Sequence, residues 1–117
     1  MAKILVLDDE EGIRGLFEDA LPFYGHSLKS FDEGQKMLDF LQKGGSFELA
    51  FLDINNENGK GAMEVVDELK KIAPNLKIIV MSSDIGHDAM VDLKKFGFDG
   101  SMEKPFRLAT LQAIIKG

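Results

Sequence analysis

Three short stretches of this chain are apolar at every position: Ile4-Leu5-Val6-Leu7, Leu49-Ala50-Phe51-Leu52 and Ile78-Ile79-Val80-Met81. A strand with one wet face alternates polar and apolar residues, so runs without alternation read as strands buried on both faces. Such strands belong to parallel sheets covered by helices. The segments between them supply the helices. Ile13, Leu16, Phe17, Ala20 and Leu21 recur at helical spacing over about residues 10–23, with Pro22 loosening the last turn and Gly25 stopping it. Met37, Leu38 and Leu41 face inward from a helix at 33–43 capped by Asp32. Met63, Val66, Leu69 and Ile72 mark a helix at about 61–73, and Ala89, Met90, Leu93 and Phe96 one at about 85–96. Leu108, Leu111 and Ile115 support a last helix to the C-terminus.

Residues 26–31 alternate, as a half-exposed edge strand does, and Gly100 to Lys104 form a weaker fifth strand closed by Pro105. Five strands alternating with five helices imply right-handed crossovers and an α/β fold, the flavodoxin-like doubly wound five-stranded parallel sheet. With the apolar strands central and the half-polar second strand at an edge, the expected order is 2-1-3-4-5. Its switch point falls between strands one and three, where ligands bind at the carboxyl ends of the strands.

At 117 residues and 44% hydrophobic, the chain suits one domain over residues 1–117. A net charge of -6 argues against direct binding of nucleic acid or anionic membrane. Without cysteine there are no disulfides or thiolate metal sites. The first apolar run is too short for a signal peptide, and no run is long enough to span a bilayer, so a cytoplasmic protein is expected.

Chemistry-bearing residues collect at the strand ends. Strand one ends in Asp8 and Asp9, strand three in Asp53, strand four in Ser82 and Ser83, and strand five in Lys104. A parallel sheet projects all of these from one edge. Three carboxylates in one crevice repel, which raises a pKa or calls for a cation. An all-oxygen, incomplete cage suits Mg²⁺. Lys104 adds a compact positive charge and Ser82 a neutral hydroxyl. A metal, a lysine and a hydroxyl around one Asp are the parts needed for phosphoryl transfer to a carboxylate.

The motifs LVLDDE at 5–10, FLDI at 51–54, VMSS at 80–83 and EKPF at 103–106 together resemble the receiver domains of bacterial two-component response regulators, of the chemotaxis-regulator type. The resemblance covers Lys3 to about Ile115. It implies that Asp53 is the phosphoacceptor, Asp9 a direct Mg²⁺ ligand, and Asp8 a second acid acting through water. Asn55 would complete the metal shell with its backbone carbonyl, Ser82 would be the switch hydroxyl and Lys104 the phosphoryl-binding lysine. It further implies a phosphohistidine donor on a sensor histidine kinase or a histidine phosphotransfer protein. The face made by the fourth helix, fifth strand and fifth helix would then switch toward an unspecified downstream protein. No output domain is expected in this chain, and the expected state is a monomer or weak dimer.

The chain departs from the family pattern in three places. Ser101 stands where an aromatic residue usually rotates inward, Asn56-Glu57 replaces the usual proline after the acceptor, and Ser83 replaces a small apolar residue. Asn58-Gly59 in the same loop implies mobility. Ser101 and this loop motivate an alternative: a degenerate receiver acting as a phosphorylation-independent interaction module. An FMN-binding flavodoxin-type protein or a haloacid-type phosphatase fits less well. The loop after strand one carries four acids, and the position two residues after Asp53 is Asn55.

Overall fold

The computed structural model describes residues 1–117. The elements run β1 (Lys3–Leu7), α1 (Glu11–Phe23), β2 (Ser27–Phe31), α2 (Gly34–Gln42), β3 (Leu49–Asp53), α3 (Ala62–Ile72), β4 (Lys77–Ser82), α4 (Asp88–Val91), α5 (Leu93–Phe96), β5 (Gly100–Glu103) and α6 (Leu108–Lys116). The sheet is parallel throughout, in the order β2-β1-β3-β4-β5. β2 is half-exposed at one edge, as its alternation predicts.

Period-two geometry explains why the central strands carry polar residues only at their ends. Leu5, Leu7, Ala50, Leu52, Ile78 and Val80 point to one face and meet α2 and α3 through Met37, Leu38, Leu41, Val65, Val66 and Leu69. Ile4, Val6, Leu49, Phe51, Ile79 and Met81 point to the other and meet Phe17 and Leu21 of α1 and Leu111 of α6. Each strand therefore sits between two apolar layers, and the polar residues are pushed to its ends.

Two local expectations are corrected. The helix expected at 85–96 is two single turns, broken at Asp92, which has φ -129 and ψ 76. The helices thus number six. Helix α1 turns Phe17 and Leu21 to the sheet and leaves Leu16 45% exposed. The helix that Met63, Val66, Leu69 and Ile72 mark is α3, with Val66 and Leu69 buried beside Ala62 and Val65, and Met63 and Ile72 packed against the core. Helix α2 is capped by Glu33, not Asp32: extended at φ -151, Glu33 accepts from the backbone N–H groups of Gln35 and Lys36. Asp32 instead pairs with Lys36 at 2.9 Å. A hydrogen bond from that lysine holds the Asp32 carboxyl below its usual range.

Pro22 does not end α1. The helix continues to Phe23, and the chain leaves through bonds from Gly25 N to Pro22 O and from His26 N to Leu21 O.

Candidate functional site

The parallel ladder sets the site. Leu7 pairs with Leu52, and Asp53 with Met81, so the residues that leave β1, β3 and β4 emerge along one edge. Asp9, Glu10, Ile13, Asp53, Asn55, Glu57, Ser83, Lys104 and Pro105 line one crevice there, about 610 Å³ in volume. Asp9 and Asp53 thus share an edge and a cavity. Asp8 lies just beneath, fully buried.

Lys104 organises the acids. Its Nζ lies 2.6 Å from Asp8 Oδ2, 3.1 Å from Asp53 Oδ1 and 3.9 Å from Glu10 Oε1. The ammonium arrives there because β5 ends at Glu103, and the N–H of Lys104 is still held by Ser82 O at 2.9 Å. The following Lys104–Pro105 peptide is cis. Asp8 is fixed from its other side: Oδ1 accepts from Glu10 N at the start of α1, and its carbonyl accepts from Arg14 Nη1. Asp8 Oδ2 is buried, and the Lys104 ammonium is its one close partner. Asp9 Oδ2 accepts from Glu57 N at 3.0 Å, which draws the loop after β3 over the crevice.

One ammonium cannot satisfy two buried carboxylates. Burial pushes the Asp53 carboxyl up to about 7; the charge of Asp8 and a hydrogen bond with Asp9 add to this, and Lys104 opposes it. Burial also works against the charged form of Lys104. Asp8 and Asp53 outweigh that, and the lysine is raised above its ordinary value.

The donor set fits a hard divalent cation. Carboxylate oxygens of Asp8, Asp9 and Glu10 lie within 4.8 Å of one another, more negative charge than the single Lys104 ammonium offsets. Glu10 is the third acid of this cluster, and Asp53, whose Oδ1 accepts from Lys104 Nζ at 3.1 Å, lies across the crevice from it. Ser82 is buried behind the crevice, and its Oγ accepts from Asp84 N at 2.9 Å. Ser83 takes its place in the lining. Ser101 is exposed on β5. The histidines lie elsewhere: His26 accepts from Ala2 N, and His87 caps α4 by accepting from Ala89 N.

Sequence reasoning missed Glu57 and Arg14, since both act through the backbone of Asp8 or of Glu57 itself. It placed Glu10 only at a helix start.

Gly61 sits directly behind the acceptor. A Cβ on it would lie 2.8 Å from Ile54 O and 3.0 Å from Asp53 O, both backbone atoms with little room to yield. Gly61→Ala is expected to lower stability by about 1–3 kcal/mol, read as a lower urea midpoint at unchanged slope.

The family model described as "Response regulator receiver domain" matches residues 4–116. The chain belongs to the response regulator receiver domains. Over 116 residues the receiver is 29% identical to the DNA-binding transcriptional regulator NtrC of Azospirillum brasilense, covering 98% of this chain and 24% of that protein. It is 27% identical to sporulation initiation phosphotransferase F of Bacillus subtilis, covering 97% of this chain and 90% of that one. The receiver thus spans about a quarter of one relative and nearly all of the other. In fold it matches the Vibrio cholerae chemotaxis protein CheY4 with a TM-score of 0.88 at 24% identity, over 99% of this chain and 97% of that chain. Receivers are signalling domains of two-component response regulators. No helix of this one is long and apolar enough to cross a membrane.

Proposed function

We propose that this receiver takes a phosphoryl group onto Asp53 from a phosphohistidine and, with Mg²⁺, passes the change to a partner-binding face. The observation that carries this reading is the placement of Lys104 Nζ between Asp8 and Asp53, 3.1 Å from the acceptor oxygen, in a crevice open to a donor. An Asp53 oxygen attacks phosphorus in line. The N–P bond breaks, and its electron pair returns to the imidazole of the donor. Lys104 is in reach of the equatorial oxygens, where its charge offsets theirs. Ser82 keeps its own O–H to donate once it leaves Asp84 N. Asp8, Asp9, Asp53 and the Asn55 carbonyl would hold Mg²⁺, whose charge would neutralise the incoming phosphoryl oxygens. Residues 1–117 act as one such module in the cytoplasm. A sensor histidine kinase or histidine phosphotransfer protein is the donor, and a separate protein reads the output.

The test is a Mg²⁺ titration followed by beryllofluoride, a phosphoryl mimic, with backbone amide shifts as the readout. Expected are Mg²⁺-dependent changes at Asp9, Asp53 and Asn55, then beryllofluoride-dependent changes that reach Ser82 and the α4–β5 region. Changes confined to the metal ligands, with partner binding indifferent to the mimic, would favour the phosphorylation-independent module that the exposed Ser101 motivates.

A further inference from the structure

The loop from Asn55 to Lys60 lacks the proline that would stiffen it, yet it is stitched to the end of β2 and the start of α2. Asn56 Nδ2 donates to Asp32 O at 2.9 Å, and Asn56 Oδ1 accepts from Asn58 N at 2.8 Å. Glu33 Oε2 caps α2 through Gln35 N at 3.0 Å and receives Lys60 N at 3.4 Å. Gly34 N donates to Lys60 O at 2.8 Å, and Lys60 Nζ donates to Gln35 Oε1 at 2.7 Å. Two glycines permit the approach. A Cβ on Gly34 would collide with Val65 Cγ1 and lie 2.8 Å from Lys60 O. A Cβ on Gly59, at φ +155, would lie 2.7 Å from Glu33 Oε2.

The geometry points to Asn56 and Glu33 as positioning residues that orient the loop for the metal, with Asn56 as the principal clamp. Asn56 stands between the two peptide groups that matter. The peptide on its N-terminal side carries the Asn55 carbonyl. The one on its C-terminal side carries the Glu57 N–H, which donates to Asp9 Oδ2. Tying the Asn56 side chain to Asp32 O restricts rotation of both peptides at once, a restraint of the kind proline gives through its ring. Glu33 does the same at the far end of the loop. The bond from Gln35 N above all, with those from Lys36 N and Lys60 N, outweighs a small desolvation and holds the Glu33 carboxyl below its usual range, so the clamp stays ionised at neutral pH.

This inference rests on the metal-assisted reading of the site, but its first readout needs neither metal nor phosphate. In the metal-free protein, Asn56→Ala is expected to speed hydrogen exchange of the Glu57 amide about tenfold or more, with the amides of Leu52 and Val80 unchanged. Mg²⁺ affinity should fall several-fold. The acetyl phosphate reaction at saturating Mg²⁺ should stay near the wild-type rate. Asn56→Asp keeps the acceptor for Asn58 N and loses the donor to Asp32, and should behave like Asn56→Ala. Glu33→Gln keeps one acceptor and should lie between Glu33→Ala and wild type. A lower melting temperature with unchanged Glu57 exchange and unchanged Mg²⁺ affinity would reduce these residues to structural caps and overturn the proposal. If wild type takes no phosphoryl group while Glu57 exchange and Mg²⁺ affinity respond as stated, the clamp is upheld and the phosphoacceptor reading fails.

Discussion

Lys104→Met is expected to destabilise the metal-free protein by about 3–5 kcal/mol at neutral pH, because it removes the one cation facing two buried carboxylates. Asp8 is fully buried, and its Oδ2 has only the ammonium 2.6 Å away. The dependence on pH identifies the cause. Lys104 is raised above its unfolded value, so its contribution is fully present at pH 7 and is lost only as pH rises through its folded pKa. In the variant the stranded acids can be neutralised by protons, so the deficit should shrink as pH falls from 7 toward 4, and Mg²⁺ should also reduce it. Urea unfolding at three pH values, with and without Mg²⁺, reads all of this. A pH-independent loss would mean that the aliphatic stem, not the charge, holds the site. Phosphoryl uptake at saturating Mg²⁺ should fall by roughly 10²–10³-fold, the size of effect seen when one electrostatic stabiliser is removed.

Asp53→Asn is expected to move stability and activity in opposite directions. The Asp53 carboxyl is raised from 3.8 to about 7. For an acid whose folded pKa is raised, the stabilising contribution is full below the unfolded value and is lost as pH climbs through the folded one. Wild type therefore loses stability between about pH 4 and 7, and the amide, which cannot ionise, does not. The variant should be more stable by on the order of 4 kcal/mol above pH 7, the attraction of Lys104 being already contained in the raised value, and near parity at pH 4. Its uptake of phosphoryl from acetyl phosphate should fall by on the order of 10³-fold or more, since an amide oxygen is a poor nucleophile. A more stable, inactive protein shows that the raised pKa belongs to the site's function and not to a folding defect.

Much of this was legible from the chain because burial on two faces leaves a plain trace. The runs at Ile4–Leu7, Leu49–Leu52 and Ile78–Met81 could belong only to central strands, and a parallel sheet then delivers Asp8, Asp9, Asp53 and Lys104 to one edge. What stayed hidden depends on backbone partners. N-cap preference favours Asp32 over Glu33 at the start of α2; Glu33 caps instead because Asp32 pairs with Lys36 and the loop also bonds Glu33. Asn56 reads as a loosening substitution, and its side chain ties the loop down instead. The break at Asp92 has no sequence breaker behind it; Ala89, Met90, Leu93 and Phe96 keep helical spacing, and the two turns still pack that set against the core. That Glu10 lies with Asp8 and Asp9 was obscured because a first-turn acid beside a helix start is ordinarily explained by the helix alone.

The most direct test of the central claim is to incubate the wild-type receiver with acetyl phosphate, with and without Mg²⁺, and to map any modification by mass spectrometry of borohydride-trapped peptides. The account predicts one phosphoryl group per chain, on Asp53 alone, dependent on Mg²⁺ and absent from Asp53→Asn. Modification at Asp8 or Asp9, or uptake that proceeds equally without Mg²⁺ or in Asp53→Asn, would contradict it.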